Sequence, residues 1–246
     1  MQSPQETAIV TGGGTGIGRA ISLALARRGF AVGVLYSRSQ ADAEETVRAI
    51  EQAGGTAQSF ATDVRDQEAV QETVRQIAGA WGPLRYLVNN AAITRQLPFA
   101  DLDAIDDGVW EELYATNVKG AFHCARAAAP YLRQTAGAAI LNIGSIAGET
   151  GYGSSIPYAV SKAALHGLTR SLARALAPEI RVNCLAPGAV QTRWWDGHED
   201  NMRRLTGSLL LQRISTPEDI AETALMLLEA RSMTGQILRA ENCQTL

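Results

Sequence analysis

Short runs of β-branched and aliphatic residues alternate with longer stretches of helical periodicity along the whole chain. The runs TAIVT (7–11), AVGVLY (31–36), TAQSFA (56–61), LRYLVN (84–89), AAILNI (138–143), IRVNCL (180–185) and QILRA (236–240) predict strands. Amphipathic stretches between them predict helices near 17–28, 40–53, 66–80, 107–134, 157–177 and 217–229. Regular strand–helix alternation implies right-handed crossovers, which put helices on both faces of a parallel sheet. Several runs are apolar at successive positions, as strands covered on both faces must be. The pattern therefore predicts one α/β domain over residues 1–246, a doubly wound sheet of about seven parallel strands with helices on both faces. Pro178 stops one helix, and Pro157 falls in the first turn of another. There is no internal repeat, low-complexity tract or linker. The longest irregular stretch follows Pro187-Gly188, runs to about residue 216, and carries Trp194, Trp195 and His198. Loops beyond strand ends are where open α/β sheets bind ligands.

Composition narrows the classes of function. A net charge of −3 gives no general attraction to nucleic acid or to an anionic membrane. No apolar run reaches the roughly 20 residues that a bilayer span needs. The opening MQSPQETAIV lacks the basic-then-apolar order of a signal peptide, so a cytoplasmic protein is expected. Cys124, Cys184 and Cys243 are odd in number and far apart, which suits a reducing compartment; Cys124 and Cys184 are expected as small buried residues. His123, His166 and His198 have no metal-ligand spacing, and each is expected at the surface or in packing.

The first predicted strand runs directly into TGGGTGIG, residues Thr11, Gly12, Gly13, Gly14, Thr15, Gly16, Ile17 and Gly18, and then into a helix. Glycines permit a tight turn whose N–H groups approach a pyrophosphate, and the helix N-terminus adds partial positive charge. The spacing Gly-x3-Gly-x-Gly differs from the usual Gly-x-Gly-x2-Gly. An acidic residue at the end of the second strand would hold the ribose 2′-hydroxyl of NAD and repel a 2′-phosphate. Here the strand ends in Ser37-Arg38-Ser39, with no carboxylate. Arg38 offers a fork of donors and the serines offer hydroxyls, so NADP(H) is the expected cofactor. Asp63-Val64 after the third strand are candidate contacts to the adenine, and Asn89-Asn90-Ala91-Ala92 after the fourth to the ribose. On this reading, residues 1–90 form mainly the dinucleotide-binding half and 91–246 the catalytic and substrate half.

Tyr158 and Lys162 stand one helical turn apart and share a face. An ammonium beside a phenol favours the phenolate and is expected to lower its pKa, giving a proton donor and acceptor near neutral pH. Ser145, in NIGSIAG past the fifth strand, could hold a substrate oxygen. Asn117 interrupts a helical stretch, LYATNVKGAF, where asparagine is unfavourable; a local distortion or a water-binding role would account for it.

Taken in order, TGGGTGIG, Asp63-Val64, NNAA, Asn117, Ser145, YAVSK and Pro187-Gly188 with Val190 and Thr192 resemble the short-chain dehydrogenase/reductase family over nearly the whole chain. The resemblance implies a Rossmann-type fold and hydride transfer between nicotinamide C4 and a carbonyl or secondary alcohol. It implies Tyr158 as general acid/base, Ser145 as the residue positioning the carbonyl, and Lys162 as the group that binds nicotinamide ribose and lowers the tyrosine pKa. Asn117 would hold a water in a relay to Lys162. Cofactor contacts would come from Gly12, Gly14, Thr15, Gly16, Ile17, Gly18, Asp63, Val64, Asn90, Ala91, Pro187, Gly188, Val190 and Thr192. A homotetramer is implied too, paired through the helices at 107–134 and 157–177, whose Ala125, Ala127, Ala128, Ala129, Ala163, Ala164, Ala173 and Ala175 would allow close approach.

Two departures stand out. Ala92 replaces the last glycine of NNAG, and Arg239-Ala240-Glu241-Asn242-Cys243 replaces the common V-D-G-G segment. The overall likeness is to 3-oxoacyl-thioester reductases of the acyl-carrier-protein type, so a 3-oxoacyl thioester or similar small ketone is the expected substrate. The two arginines that dock the carrier there fall at Ala136 and Glu179 here. The YSRS element also resembles pteridine reductases and some sugar dehydrogenases. A catalytically silent NADP(H)-binding protein would share the fold but would be expected to lose Ser145, Tyr158 or Lys162. Trp194 and Trp195 read either as a cap over an apolar substrate or as anchors of a mobile loop at about 189–212.

Overall fold

Side chains leave β1 (Thr7–Thr11) alternately to opposite faces: Ala8 and Val10 enter one apolar cluster, and Ile9 the other. The same division recurs in β2 (Ala31–Tyr36), where Val32 and Val34 face one cluster and Leu35 the other. It recurs again in β4 (Leu84–Asn89), with Tyr86 and Val88 opposed to Leu87. Two buried faces explain the near-continuous apolar runs of these strands. The computed structural model describes residues 5–193, 206 and 209–245.

With β3 (Thr56–Ala61), β5 (Ala139–Ile143), β6 (Arg181–Pro187) and β7 (Ile237–Ala240), the strands form one seven-stranded sheet in the order β3-β2-β1-β4-β5-β6-β7. Every pairing is parallel. Strand order reverses between β1 and β4, which opens a crevice at their carboxyl ends. Helices α1 (Gly16–Arg27) and α2 (Gln40–Gln52) cover one face, and α3 (Gln67–Ala80) packs on the other.

The predicted helix at 107–134 is not continuous. It divides into α4 (Asp107–Tyr114), a π-helical turn at Ala115–Gly120, and α5 (Ala121–Leu132). The wider turn contains Asn117, so the distortion expected there is present. A one-turn α6 (Ala147–Thr150) follows Ser145 and was not anticipated. The long α7 (Ile156–Leu176) begins at Ser155, whose hydroxyl accepts from Tyr158 N at 3.3 Å. Helix α8 (Pro217–Glu229) opens with a capping box between Thr216 and Asp219. Trp194, Trp195, His198 and most of the loop expected at 189–212 lie outside the described residues.

Candidate active site

The glycine-rich segment forms the turn from β1 into α1. Gly12 and Gly16 have φ of +60° and +49°, the left-handed region that glycine adopts without strain. At Gly18 the constraint is space: a Cβ would stand 2.2 Å from the Gly12 carbonyl. Gly14 packs on α2 instead, with 2.8 Å between its would-be Cβ and Ala43 Cα. Thr15 is the extended N-cap of α1, its side chain makes no capping bond, and Ile17 lies in the first turn, which holds no acidic residue. The helix thus presents N–H groups and partial positive charge, without a competing carboxylate, beside a turn bare of side chains. These features fit a dinucleotide pyrophosphate.

Asn90 braces this turn. Its Nδ2 donates to Thr11 O at 3.0 Å and to Gly12 O at 3.1 Å, while the N–H groups of Asn90 and Ala91 both donate to Thr11 Oγ1 at 2.9 Å. On the far side, Thr192 Cγ2 lies 3.3 Å from the would-be Cβ of Gly16. Pro187 O accepts from Ile146 N at 3.0 Å, Gly188 N donates to Ala240 O at 3.0 Å, and Val190 is buried and bridged to Ser215. Asn90, Ala91 and Thr192 thus pack directly on the glycine-rich turn at the end of β1.

At the end of β2, Ser37 and Arg38 are exposed, and Ser39 is the uncapped N-cap of α2. Asp63 is held by Arg65, whose Nε lies 3.0 Å from both carboxylate oxygens and whose Nη2 lies 2.5 Å from Oδ2. That pairing, with a smaller contribution from Arg38, keeps the Asp63 carboxyl below its ordinary range. Val64 is buried, and its carbonyl accepts from His123 Nδ1 at 3.0 Å.

The chemical groups collect at the ends of β4 and β5. The hydroxyl of Ser145 is hydrogen-bonded to the Tyr158 phenol and also accepts from Ala147 N at 3.1 Å. Lys162 is buried; its Nζ donates to Ile143 O at 2.9 Å and lies 5.7 Å from the centre of the Tyr158 ring. Burial pushes Tyr158 up to about 12, only partly opposed by the bond from Ser145. The expected lowering by Lys162 is thus absent in the protein alone. The reason is that burial acts on both partners: it also brings Lys162 down to about 8.

Asn117 is almost wholly committed within the chain. Its Oδ1 accepts from Ile93 N at 2.9 Å, and its Nδ2 donates to Ile93 O at 3.1 Å and to Ser161 Oγ at 3.0 Å. Ser161 Oγ in turn donates to Tyr158 O at 2.7 Å. This ties the loop after β4 to the helix that carries Tyr158 and Lys162.

A second polar network was not visible in the sequence. Asn89 Nδ2 donates to Asn142 Oδ1 at 2.9 Å, and Asn142 Nδ2 donates to Thr169 Oγ1 at 2.9 Å, all within the core. Polar residues inside β4 and β5 were its only signal. His166 is buried one turn beyond Lys162, and burial together with Lys162 holds its imidazole down at about 4, so it is neutral. Cys124 and Cys184 are buried, as expected.

Comparison with known proteins agrees with this geometry. Residues 6–203 match the short chain dehydrogenase family model. A short-chain dehydrogenase/reductase homolog of Bacillus subtilis, YusR, is 58% identical over 129 residues, which is 52% of this chain and 100% of that protein. The 3-oxoacyl-[acyl-carrier-protein] reductase FabG of Staphylococcus aureus (strain N315) is 34% identical over 237 residues, 95% of each chain. A short chain dehydrogenase of Burkholderia cenocepacia, solved in complex with NADP, superposes with a TM-score of 0.90 at 32% identity over 98% of both chains. The chain belongs to the short-chain dehydrogenase/reductase family, and it is a nicotinamide-dependent oxidoreductase similar to 3-oxoacyl-[acyl-carrier-protein] reductases.

Proposed function

We propose that the protein is a cytoplasmic NADP(H)-dependent reductase of small ketones, with 3-oxoacyl thioesters as the preferred class. The observation that carries this reading is the hydrogen-bonded Ser145–Tyr158 pair beside buried Lys162, on the same carboxyl edge of the parallel sheet from which the glycine-rich turn leaves β1 and Arg38 follows β2. NADPH, when bound, supplies the hydride. Tyr158 gives its phenolic proton to the substrate oxygen, and Ser145 donates to the same oxygen and fixes its direction. A phenol near 12 is fully protonated at neutral pH, which suits an acid acting in the direction of reduction. Lys162 supplies positive charge that stabilises the phenolate left behind, and Asn117 holds α7 in register and serves the relay to Lys162. Residues 1–90 carry mainly the dinucleotide contacts and 91–246 the catalytic ones.

Arg38 selects the 2′-phosphate, with Ser37 and Ser39 beside it. Ala136 and Glu179 are both exposed, so the surface lacks the paired arginines that would dock an acidic carrier; a thioester of a small thiol is therefore the favoured form. The test is a panel of 3-oxoacyl thioesters, pteridines and sugars with NADPH and NADH, followed by cofactor absorbance. The 3-oxoacyl thioesters should turn over with NADPH. Tyr158→Phe should lose about 10²–10⁴-fold in rate while still binding NADPH, and Arg38→Ala should weaken NADPH far more than NADH. A wild type that prefers NADH, or an active Tyr158→Phe, would overturn the assignment.

A further inference from the structure

The C-terminal segment, where this chain departs from the common V-D-G-G pattern, folds back onto the turn after β6. Gln244 Oε1 accepts from Ala189 N at 2.9 Å. A Cβ on Gly188 would lie 2.6 Å from that same oxygen and 2.9 Å from Glu241 Cβ. Gly188 must therefore be glycine at least in part because the tail lies on it. Two residues earlier, Asn242 Nδ2 donates to Arg213 O at 2.9 Å and to Ser215 Oγ at 3.0 Å. Asn242 and Cys243 turn the chain with φ of +53° and +62°, a costly conformation for side-chain-bearing residues that the surrounding bonds sustain.

The segments thus fastened are themselves joined. Gln191 N donates to Ser215 O at 2.9 Å, and Val190 bridges to Ser215. One residue further on, Thr192 reaches the glycine-rich turn at Gly16. A single tail therefore holds both ends of the excursion between Ala189 and Ser215, and through it the placement of Thr192.

We infer that Gln244 and Asn242 are positioning residues for the nicotinamide end of the cofactor, acting through the Arg213–Ser215 segment and the Gly188–Ala189 turn, whose neighbour Pro187 is bonded to Ile146 beside the catalytic Ser145. This rests on the reading that NADP(H) occupies the crevice. It adds that the tail, which among the described residues makes no hydrogen bond to Ser37, Arg38, Ser39 or Asp63, sets affinity for the nicotinamide portion alone. The aliphatic side chain of Gln244→Leu keeps bulk but accepts no hydrogen bond, so it leaves Ala189 N without its acceptor. Gln244→Glu keeps an acceptor at the same reach.

Binding is compared for NADPH and for adenosine 2′,5′-bisphosphate, which carries the adenine and 2′-phosphate but no nicotinamide. In Gln244→Leu, NADPH affinity should fall about tenfold, the effect of losing one part-buried acceptor, while the bisphosphate binds as it does to wild type. Gln244→Glu should restore most of the loss. If Gln244→Leu binds NADPH like wild type, loses both ligands in equal proportion, or is not rescued by glutamate, the positioning role is overturned. If wild type binds neither ligand, it is the cofactor reading itself that fails.

Discussion

Lys162 is an ammonium buried against one carbonyl, and its chemistry conflicts with its stability. Its pKa falls from 10.5 to about 8 because burial penalises the charge, with Cys184 only partly compensating. The folded pKa is lower than the unfolded one, so below about 8 the folded state bears the full cost of burying the charge. Between about 8 and 10.5 the folded state releases the proton that the unfolded state keeps, and stability rises with pH. The charge cost is about 3 kcal/mol for a shift of this size. Removing Lys162 leaves the Ile143 carbonyl unpaired, which offsets about 1–2 kcal/mol of the gain. Lys162→Met should therefore be inactive yet melt higher than wild type at neutral pH, with the difference shrinking as pH rises above about 8 and reversing by pH 10.5, where only the lost bond to Ile143 remains. Thermal unfolding at a series of pH values measures this, and a variant that melts lower at neutral pH would contradict the charge-burial argument. His166 adds the opposite end of the range. Its folded pKa of about 4 lies below the ordinary 6.5, so it contributes a loss of stability as pH falls from 6.5 towards 4.

At the scale of elements, the π-helical turn around Asn117 does the most to organise the site. Asn117 makes three bonds from within the π-helical turn: it fixes Ile93 after β4 and, through Ser161, the backbone of Tyr158. Asn117→Ala removes all three and leaves the Ile93 N–H without its acceptor. The expected loss is about 2 kcal/mol or more, which lowers the melting temperature by roughly 4–8 °C in a chain of this size. Because the bonds also hold α7, kcat should fall together with stability. A variant with normal kcat and a lowered melting point would make Asn117 structural only; an inactive variant with unchanged melting would make the water role sufficient. The limits of strands β1, β2 and β4 were legible to the residue because apolar runs buried on two faces have sharp ends. The helix at 107–134 was not, because an added residue in one turn leaves the hydrophobic period almost unchanged. Ser145, Tyr158 and Lys162 were legible as a spaced motif beside a strand end. The Asn89–Asn142–Thr169 network and the clasp of Gln244 on Gly188 were not, since each joins residues far apart in the chain that no local pattern connects.

For the whole molecule, the burial of the helices at 107–134 and 157–177 narrows the expected contact between copies to part of their surface. Of the alanines expected to pair helices across a two-fold axis, Ala125, Ala128, Ala129 and Ala173 are buried in the chain's own core, whereas Ala163 and Ala175 of α7 are exposed and Ala127 and Ala164 partly so. The same helices also expose larger side chains: Tyr114 ending α4, Phe122 in α5 and Val160 in α7 are each 40–47% accessible. A second region lies elsewhere, where β7 leaves one edge of the sheet unpaired and Met226 of α8 is 44% accessible. An apolar face and an unpaired edge on one chain suit two perpendicular two-fold axes, and hence a tetramer. Phe122→Glu tests this arrangement. The carboxylate would face Arg126 one turn on, whose guanidinium already lies 5.3 Å from the Phe122 ring, so the isolated helix should tolerate it. In an interface between copies, the same charge would be desolvated and paired with its own symmetry mate. Light scattering should find wild type as a tetramer and Phe122→Glu as a dimer, because the second region is untouched. A monomeric wild type at micromolar concentration would reject the assembly. A variant that remains tetrameric would place the contact away from the Tyr114–Phe122–Val160 face.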